Sequence, residues 1–356
     1  MNWFSGNGRS LIGVDSGGRF VKAVQLVRGS GGWRLGAALR LPKSVSGEAG
    51  DQAACGELSR DEVAQLCGAL ARQGFIDTRI VLAVPEDKIV TGILELPPRA
   101  SGAPLADIAR LELASMNGYD AQQAETVSWD LPPSPHVARA TQAMAVACRH
   151  ADAEAMIEIY EGAGLQVVAL DSRLHAIVRA CRPHVSPAGI TGILELEWDG
   201  AVLILLYRGV VIYRWSVGDA AVRHLSKTMA DGLGVDEATV VPLMMDVGLS
   251  GRQDVESSLR DAVAGFIRKH VSFLAESIVS PLLYAGQQYP GSSVDNLLVV
   301  GHGAAIPGAA LHLQSHLAGS VKTIVPADLV QCPDPMAARS RDPSLVSVVG
   351  LAQFEV

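Results

Sequence analysis

The sequence predicts an α/β protein built as two similar lobes. Three observations point there. Residues 11–41 read as a three-stranded antiparallel meander, and the same order returns at 192–217. A helix-forming segment follows each meander. Each half also carries one continuous apolar strand, RIVLAVPE (79–86) and NLLVV (296–300), of the kind buried on both faces of a sheet. Such duplication implies two lobes with a cleft between them and hairpin turns facing it.

The elements follow in order. Leu11, Ile12 and Val14 fit a first strand and Phe20, Val24, Leu26 and Val27 a second, with Gly17-Gly18 expected to supply the positive φ of a tight turn. GSGG (29–32) leads into WRLGAALRL, the third strand. Ser59 opens a helix with Glu62 three residues on, a capping box, and Gly74 ends it. Ile89 to Leu96 is a strand stopped by Pro97-Pro98. LADIARLELASMNG (105–118) reads as an amphipathic helix with Leu105, Ile108, Leu111 and Met116 on one face. ETVSWDL (125–131) and ATQAMAVAC (140–148) pair as strands across PPSPH. Asp152 opens a helix closed by Gly162 and Gly164; QVVALD is a strand, and Ser172 to Cys181 a helix stopped by Pro183.

In the second half, GILELEW, AVLILLY and VVIYRWSV form the repeated meander, turning at Asp199-Gly200 and Arg208-Gly209. A helix is expected from about Asp219 to Asp231. Residues 254–288 are mostly helical, with Pro281 expected to kink or end the run. The cluster Arg268-Lys269-His270 reads as a solvated face.

Composition narrows the function. The hydrophobic fraction of 49% supports large cores, and a net charge of −8 argues against nucleic acid as a partner. Five cysteines without a C-x-x-C pair fit buried, reduced thiols in a cytosolic protein. The most apolar stretch, 201–213, is interrupted by Arg208-Gly209 and falls short of the roughly 20 residues of a membrane span. The N-terminus lacks the apolar core of a signal peptide, and Trp3-Phe4 is expected on a loosely held tail. G-x-S-x-G, H-E-x-x-H and Walker A motifs do not occur in the sequence.

One motif invites chemistry. In IGVDSGGRFVK (12–22), Asp15 sits at a glycine turn with Lys22 seven residues on. This is the pattern of an ordinary hairpin. It is also that of a phosphate loop, in which backbone N–H groups cradle an anion, Asp15 holds a metal through water and Lys22 neutralises a phosphate. One turn does not choose between them.

Taken in order, the motifs resemble those of the PilM family of type IV pilus assembly proteins, actin-like relatives of FtsA. IGVDSGGRFVKAVQL looks like the family's first phosphate motif, and LADIARLELASMNGYDAQQAETVSWDL resembles its inserted subdomain. AMAVACRHADAEAMIEIYEGAGLQVVALDSRLHAIVRA is similar to its most recognisable run. LLVVGHGAAIPGAALHLQSHL looks like its adenosine motif, carrying Gly301 and Gly303, and SVVGLAQF resembles its C-terminal helix.

The resemblance implies an actin-like (ribonuclease H-like) duplicated two-lobe fold with an inserted ββαβ-type subdomain in the first lobe. The implied division is 1–86 with 169–189 and 343–356 as the first core, 87–168 as the insert, 190–225 with 295–342 as the second core, and 226–294 as a mostly helical subdomain. It further implies a cytoplasmic scaffold, peripheral to the inner membrane. Such a scaffold binds the cytoplasmic N-terminal tail of a PilN-type membrane protein, in a groove between core and insert, and links it to the pilus motor ATPase.

Nucleotide contacts carried over from the family are Asp15, Gly17, Gly18, Lys22, Gly301 and Gly303, with ATP and Mg²⁺ as the cofactor if the site is retained. Two departures weaken it. Where the family's fold class usually has Asp-x-Gly, this chain reads Glu195-Leu196-Glu197. Glutamate there adds bulk and like charge, about 4 kcal/mol per pair at 4 Å and an effective dielectric near 20. At 232–242, Ala238-Thr239 and Pro242 replace the usual Ala-Glu and Lys. The expectation is therefore a non-enzymatic scaffold with a degenerate ATPase site and no metal centre. The alternatives are an ATP-binding actin-like protein that switches or polymerises, and a type II secretion cytoplasmic-domain relative. That relative normally continues into a membrane helix, which this chain does not do before Val356. A sugar-kinase-like enzyme would need a catalytic aspartate, with Asp231 and Asp236 as nominal candidates.

Overall fold

In the computed structural model, residues 8–43, 57–133, 141–250, 255–289 and 293–355 are described. Trp3-Phe4, Cys55 and most of the PPSPH turn lie outside them. The chain divides into two compact units, 1–180 with 347–356, and 181–346.

The first unit opens with β1 (Arg9–Ser16), β2 (Phe20–Gly29) and β3 (Gly32–Pro42), then α1 (Arg60–Arg72) and β4 (Arg79–Val84). The Ser59 hydroxyl accepts the Glu62 N–H while the Glu62 carboxylate accepts the Ser59 N–H, so two orphan donors of α1 are satisfied reciprocally. Gly74 follows the helix at φ +81°, a value reached cheaply only without a Cβ. The chain continues through β5 (Ile89–Leu96), α2 (Leu105–Asn117), β6 (Ala124–Asp130), β7 (Thr141–Arg149), α3 (His150–Glu161), β8 (Gln166–Ser172) and α4 (Arg173–Cys181). One sheet runs β3-β2-β1-β4-β8, with β4 parallel to both β1 and β8. A separate three-stranded sheet, β5-β7-β6, is entirely antiparallel and carries α2 on one face.

The second unit repeats the first sheet. β9 (Ile190–Leu196), β10 (Ala201–Tyr207) and β11 (Val210–Val217) form the meander, followed by α5 (Val222–Leu233), α6 (Glu237–Val247), α7 (Ser257–Gln288) and β12 (Val294–Val300). After α8 (Ala309–Gln314) comes β13 (Ser320–Thr323), completing the order β11-β10-β9-β12-β13. Arg208 and Gly209 both take positive φ, the geometry of a two-residue hairpin turn that follows strand twist. Two single-turn helices, α9 (Pro326–Leu329) and α10 (Ala337–Ser340), precede α11 (Val346–Ala352).

Several sequence expectations need correction. Gly17 and Gly18 are not among the positive-φ residues. A three-residue connection suffices there, closed by the Gly17 N–H on the Phe20 carbonyl at 3.0 Å. α2 packs Leu105 and Ile108 against its sheet as expected and buries Ala109, Leu113 and Ala114, while Leu111 and Met116 are exposed. Ala109 and Ala114 let the helix sit close to its sheet around Leu113, and this turns Leu111 and Met116 outward. α3 begins two residues before Asp152, and α5 begins at Val222 behind a short 3-10 turn. α7 continues through Pro281 to Gln288, because Ile278, Pro281 and Ala285 are all buried and hold the helix on its support. His270 leaves the solvated face: its Nε2 lies 3.2 Å from the Ala220 carbonyl. The cysteines are less buried than expected: among the described residues Cys67, Cys148, Cys181 and Cys332 are free thiols, and of these Cys181 alone is fully buried.

Candidate functional site

Asp15 and Lys22 face each other across the first hairpin as directly paired residues of β1 and β2. Both are buried, 2% and 1% exposed, and Lys22 Nζ lies 3.0 Å from Asp15 Oδ2. The Ser347 hydroxyl donates to the same oxygen at 2.8 Å, and an Arg173 guanidinium nitrogen stands 3.8 Å from Oδ1. Burial alone would push the Asp15 pKa up. Lys22, Arg173 and the Ser347 hydrogen bond outweigh it and hold the carboxyl at about 2. The carboxylate is therefore ionised at neutral pH, with two cations gathered on it.

Asp15 and Lys22 are legible in the sequence because one hairpin carries both. Arg173, at the start of α4, and Ser347, in α11, are not, because no local spacing connects them to the hairpin. Ser16, next to Asp15, lines a cavity of about 90 Å³ with Leu82, Met156 and Tyr160. Burial raises the Tyr160 hydroxyl well above its ordinary pKa, so it stays protonated.

The other candidates lie in the second unit, and its strand registers define their equivalents. In the first unit Asp15 pairs Lys22, Ser16 pairs Val21, and the Gly17 N–H closes the turn on Phe20. In the second, Glu195 pairs Val202, Leu196 pairs Ala201, and the Glu197 N–H closes the turn on Gly200 at 2.9 Å. Glu195 thus takes the place of Asp15, Glu197 that of Gly17, and Val202 that of Lys22. Glu195 is buried. The Glu197 carbonyl accepts the Val222 N–H at 3.1 Å, which ties this turn to α5.

Gly301 and Gly303 follow β12. Gly301 has φ +89°, and a Cβ there would meet the Leu196 carbonyl oxygen at 2.5 Å. A Cβ on Gly303 would lie 2.9 Å from side-chain atoms of both Leu196 and Val222. Close approach of this turn to the end of β9 therefore accounts for both glycines without any ligand. His302 between them is buried, its ring 6.4 Å from that of Trp198. Ala238, Thr239 and Pro242 lie in α6, where Asp236 caps the helix by accepting the Thr239 N–H at 2.8 Å. That capping role explains Asp236, and Asp231 is exposed on α5.

No protein-family model matches the chain, and no curated protein matches it. Solved structures do. The repeated sheets have the actin-like fold. Within that class the chain is similar to a structure of the PilM-PilN type IV pilus biogenesis complex, with 18% identity, a TM-score of 0.76, and coverage of 97% of this chain and 98% of that one. It is also similar to the ethanolamine utilization protein EutJ from Carboxydothermus hydrogenoformans (15% identity, 98% and 90% coverage, TM-score 0.55). MreB5 of Spiroplasma citri, solved with ADP, matches at 12% identity over 98% and 97% of the chains with a TM-score of 0.51.

Proposed function

We propose that this protein is a non-catalytic scaffold of a type IV pilus inner-membrane platform, and that it binds the cytoplasmic N-terminal tail of a PilN-type membrane protein. The observation that carries this reading is the end-to-end fold similarity to PilM, in a structure whose partner is PilN. The separate β5-β7-β6 sheet supports it by offering a surface. β6 is an edge strand, Val127 on it is 62% exposed, and Trp129 stands edge-on to His175 of α4 with ring centroids 4.8 Å apart. An extended tail would add to β6 through backbone hydrogen bonds and set apolar side chains beside Val127 and Trp129. In this reading the chain sits in the cytoplasm, at the inner membrane through its partner. Its division into two cores, an insert and a helical subdomain is carried over from the sequence, and contact with the motor ATPase rests on resemblance alone.

Calorimetric titration with the cognate tail peptide tests it. Binding that weakens in Val127→Glu is the expected result; no binding at about millimolar peptide, the weakest range of specific association, would remove the scaffold reading.

The residues fit a nucleotide poorly. Lys22 is engaged by a buried carboxylate, and two glutamates take the Asp-x-Gly positions of the second hairpin. On these grounds the site is degenerate in our reading and performs no hydrolysis. One observation favours a second reading: two cations converge on the single Asp15 carboxylate, which leaves the hairpin attractive to an anion. Titration with ATP and Mg²⁺ separates the two. Weak or absent binding that improves in Glu197→Gly is expected, whereas micromolar binding by the wild-type protein would put the ATP-dependent switch first.

A further inference from the structure

The chain is acidic overall, yet residues 9–43 hold seven basic residues and one acidic residue, and that one, Asp15, is buried on Lys22. The exposed charge of the first meander is therefore all positive. Part of it gathers where β1 begins. Arg9 and Arg34 are the cross-strand partners of Val27 on either side, and Arg28 pairs Trp33 with its guanidinium 5.1 Å from the ring centroid. Arg28 and Arg34 are exposed.

The loop before β4 stands at the same end. Buried Gln25 clamps it: its amide donates to the carbonyls of Ser10 and Ile76 at 3.2 and 2.6 Å and accepts the Ile76 N–H at 3.0 Å. Asp77 then takes φ +90°, unfavourable for a side-chain-bearing residue, and binds the Thr78 N–H and the Arg79 guanidinium. All this polar structure fixes the backbone of Ile76, and yet the Ile76 side chain is 49% exposed. A loop held this firmly, presenting an apolar side chain to water at the end of the sheet that carries these arginines and Trp33, is not explained by packing in the core. Asp77 in this loop is paired with Arg79, 2.8 Å away.

We propose that this end of the first unit rests directly on an anionic lipid surface, with Ile76 and Trp33 entering the headgroup layer and Arg9, Arg28 and Arg34 lying among lipid phosphates. Charge complementarity selects the occupant, since each arginine near an anionic bilayer adds to binding and tryptophan favours the interface. A soluble acidic polymer would use the arginines but would leave Ile76 in water. The proposal is independent of tail binding, because the insert leaves the sheet from the other end of β4.

Co-sedimentation of the full chain with vesicles tests it, comparing phosphatidylcholine alone with phosphatidylcholine mixed with the anionic lipid phosphatidylglycerol. The wild-type protein is expected to pellet with the anionic vesicles at low salt and to be released near 1 M salt, where the Debye length is about 3 Å. Arg28→Ala/Arg34→Ala should bind about 25-fold more weakly. Ile76→Asp should lose a comparable share, and Ile76→Ser serves if the aspartate variant melts early. Tail-peptide titration should be unchanged in each variant, so failure here is distinct from failure of the scaffold reading. Absence of pelleting at low salt would overturn the proposal. So would arginine variants that pellet like wild type, or binding indifferent to Ile76 and equally strong on soluble polyglutamate.

Discussion

Asp15 is ionised in a place where an isolated carboxylate would not be, and its neighbours make that possible. Removing one partner of a buried ion pair leaves the other charge stranded, at a cost of about 3–5 kcal/mol. Lys22→Met is therefore expected to lose stability of that order in urea unfolding without nucleotide, whereas a lysine serving only a ligand would cost little. The pH dependence has a defined sign. The folded pKa, about 2, lies below the ordinary 3.8, so the stabilisation is complete above pH 4 and disappears as pH falls through 2. It amounts to about 2–3 kcal/mol, and Asp15→Asn should flatten the stability profile across that window. The pair was readable in the sequence because a hairpin of fixed register brings the two residues together. Arg173 and Ser347 were not, since tertiary packing alone delivers them.

Helices and strands were legible wherever local chemistry defines them. The Ser59–Glu62 box, the Pro97-Pro98 stop and the Arg208-Gly209 turn all depend on residues within four positions of each other. Which face an element buries was less legible, as α2 shows, because the neighbouring sheet decides between alanine and leucine. The short α11 is the extreme case. A Cβ on Gly350 would lie 1.8 Å from the Ala176 carbonyl, and one on Gly13 of β1 would lie 2.5 Å from the Val348 carbonyl. Nothing in SVVGLAQF announces these backbone contacts. Gly350→Val is expected to exceed the usual cost of about 1–3 kcal/mol for overpacking, since backbone cannot rotate away as a side chain can. A shift of the urea midpoint by less than that of a surface substitution would show that α11 is loosely held.

At the scale of the whole molecule, the duplicated sheet was legible because hydrophobic period and turn residues repeat in the same order. The equivalence of Glu195 with Asp15 became firm only from strand register, because a slip of one residue would exchange the two faces of β9. The same architecture has a consequence for synthesis. The first unit is completed by residues 347–356, which a ribosome makes only after the whole of the second unit. Until they emerge, the nascent first sheet lacks the Ser347 hydroxyl on Asp15, and the groove above Gly13 stays open. The half of the molecule translated first is thus the last to close, and the second unit, continuous in sequence, can mature while its elder sibling waits.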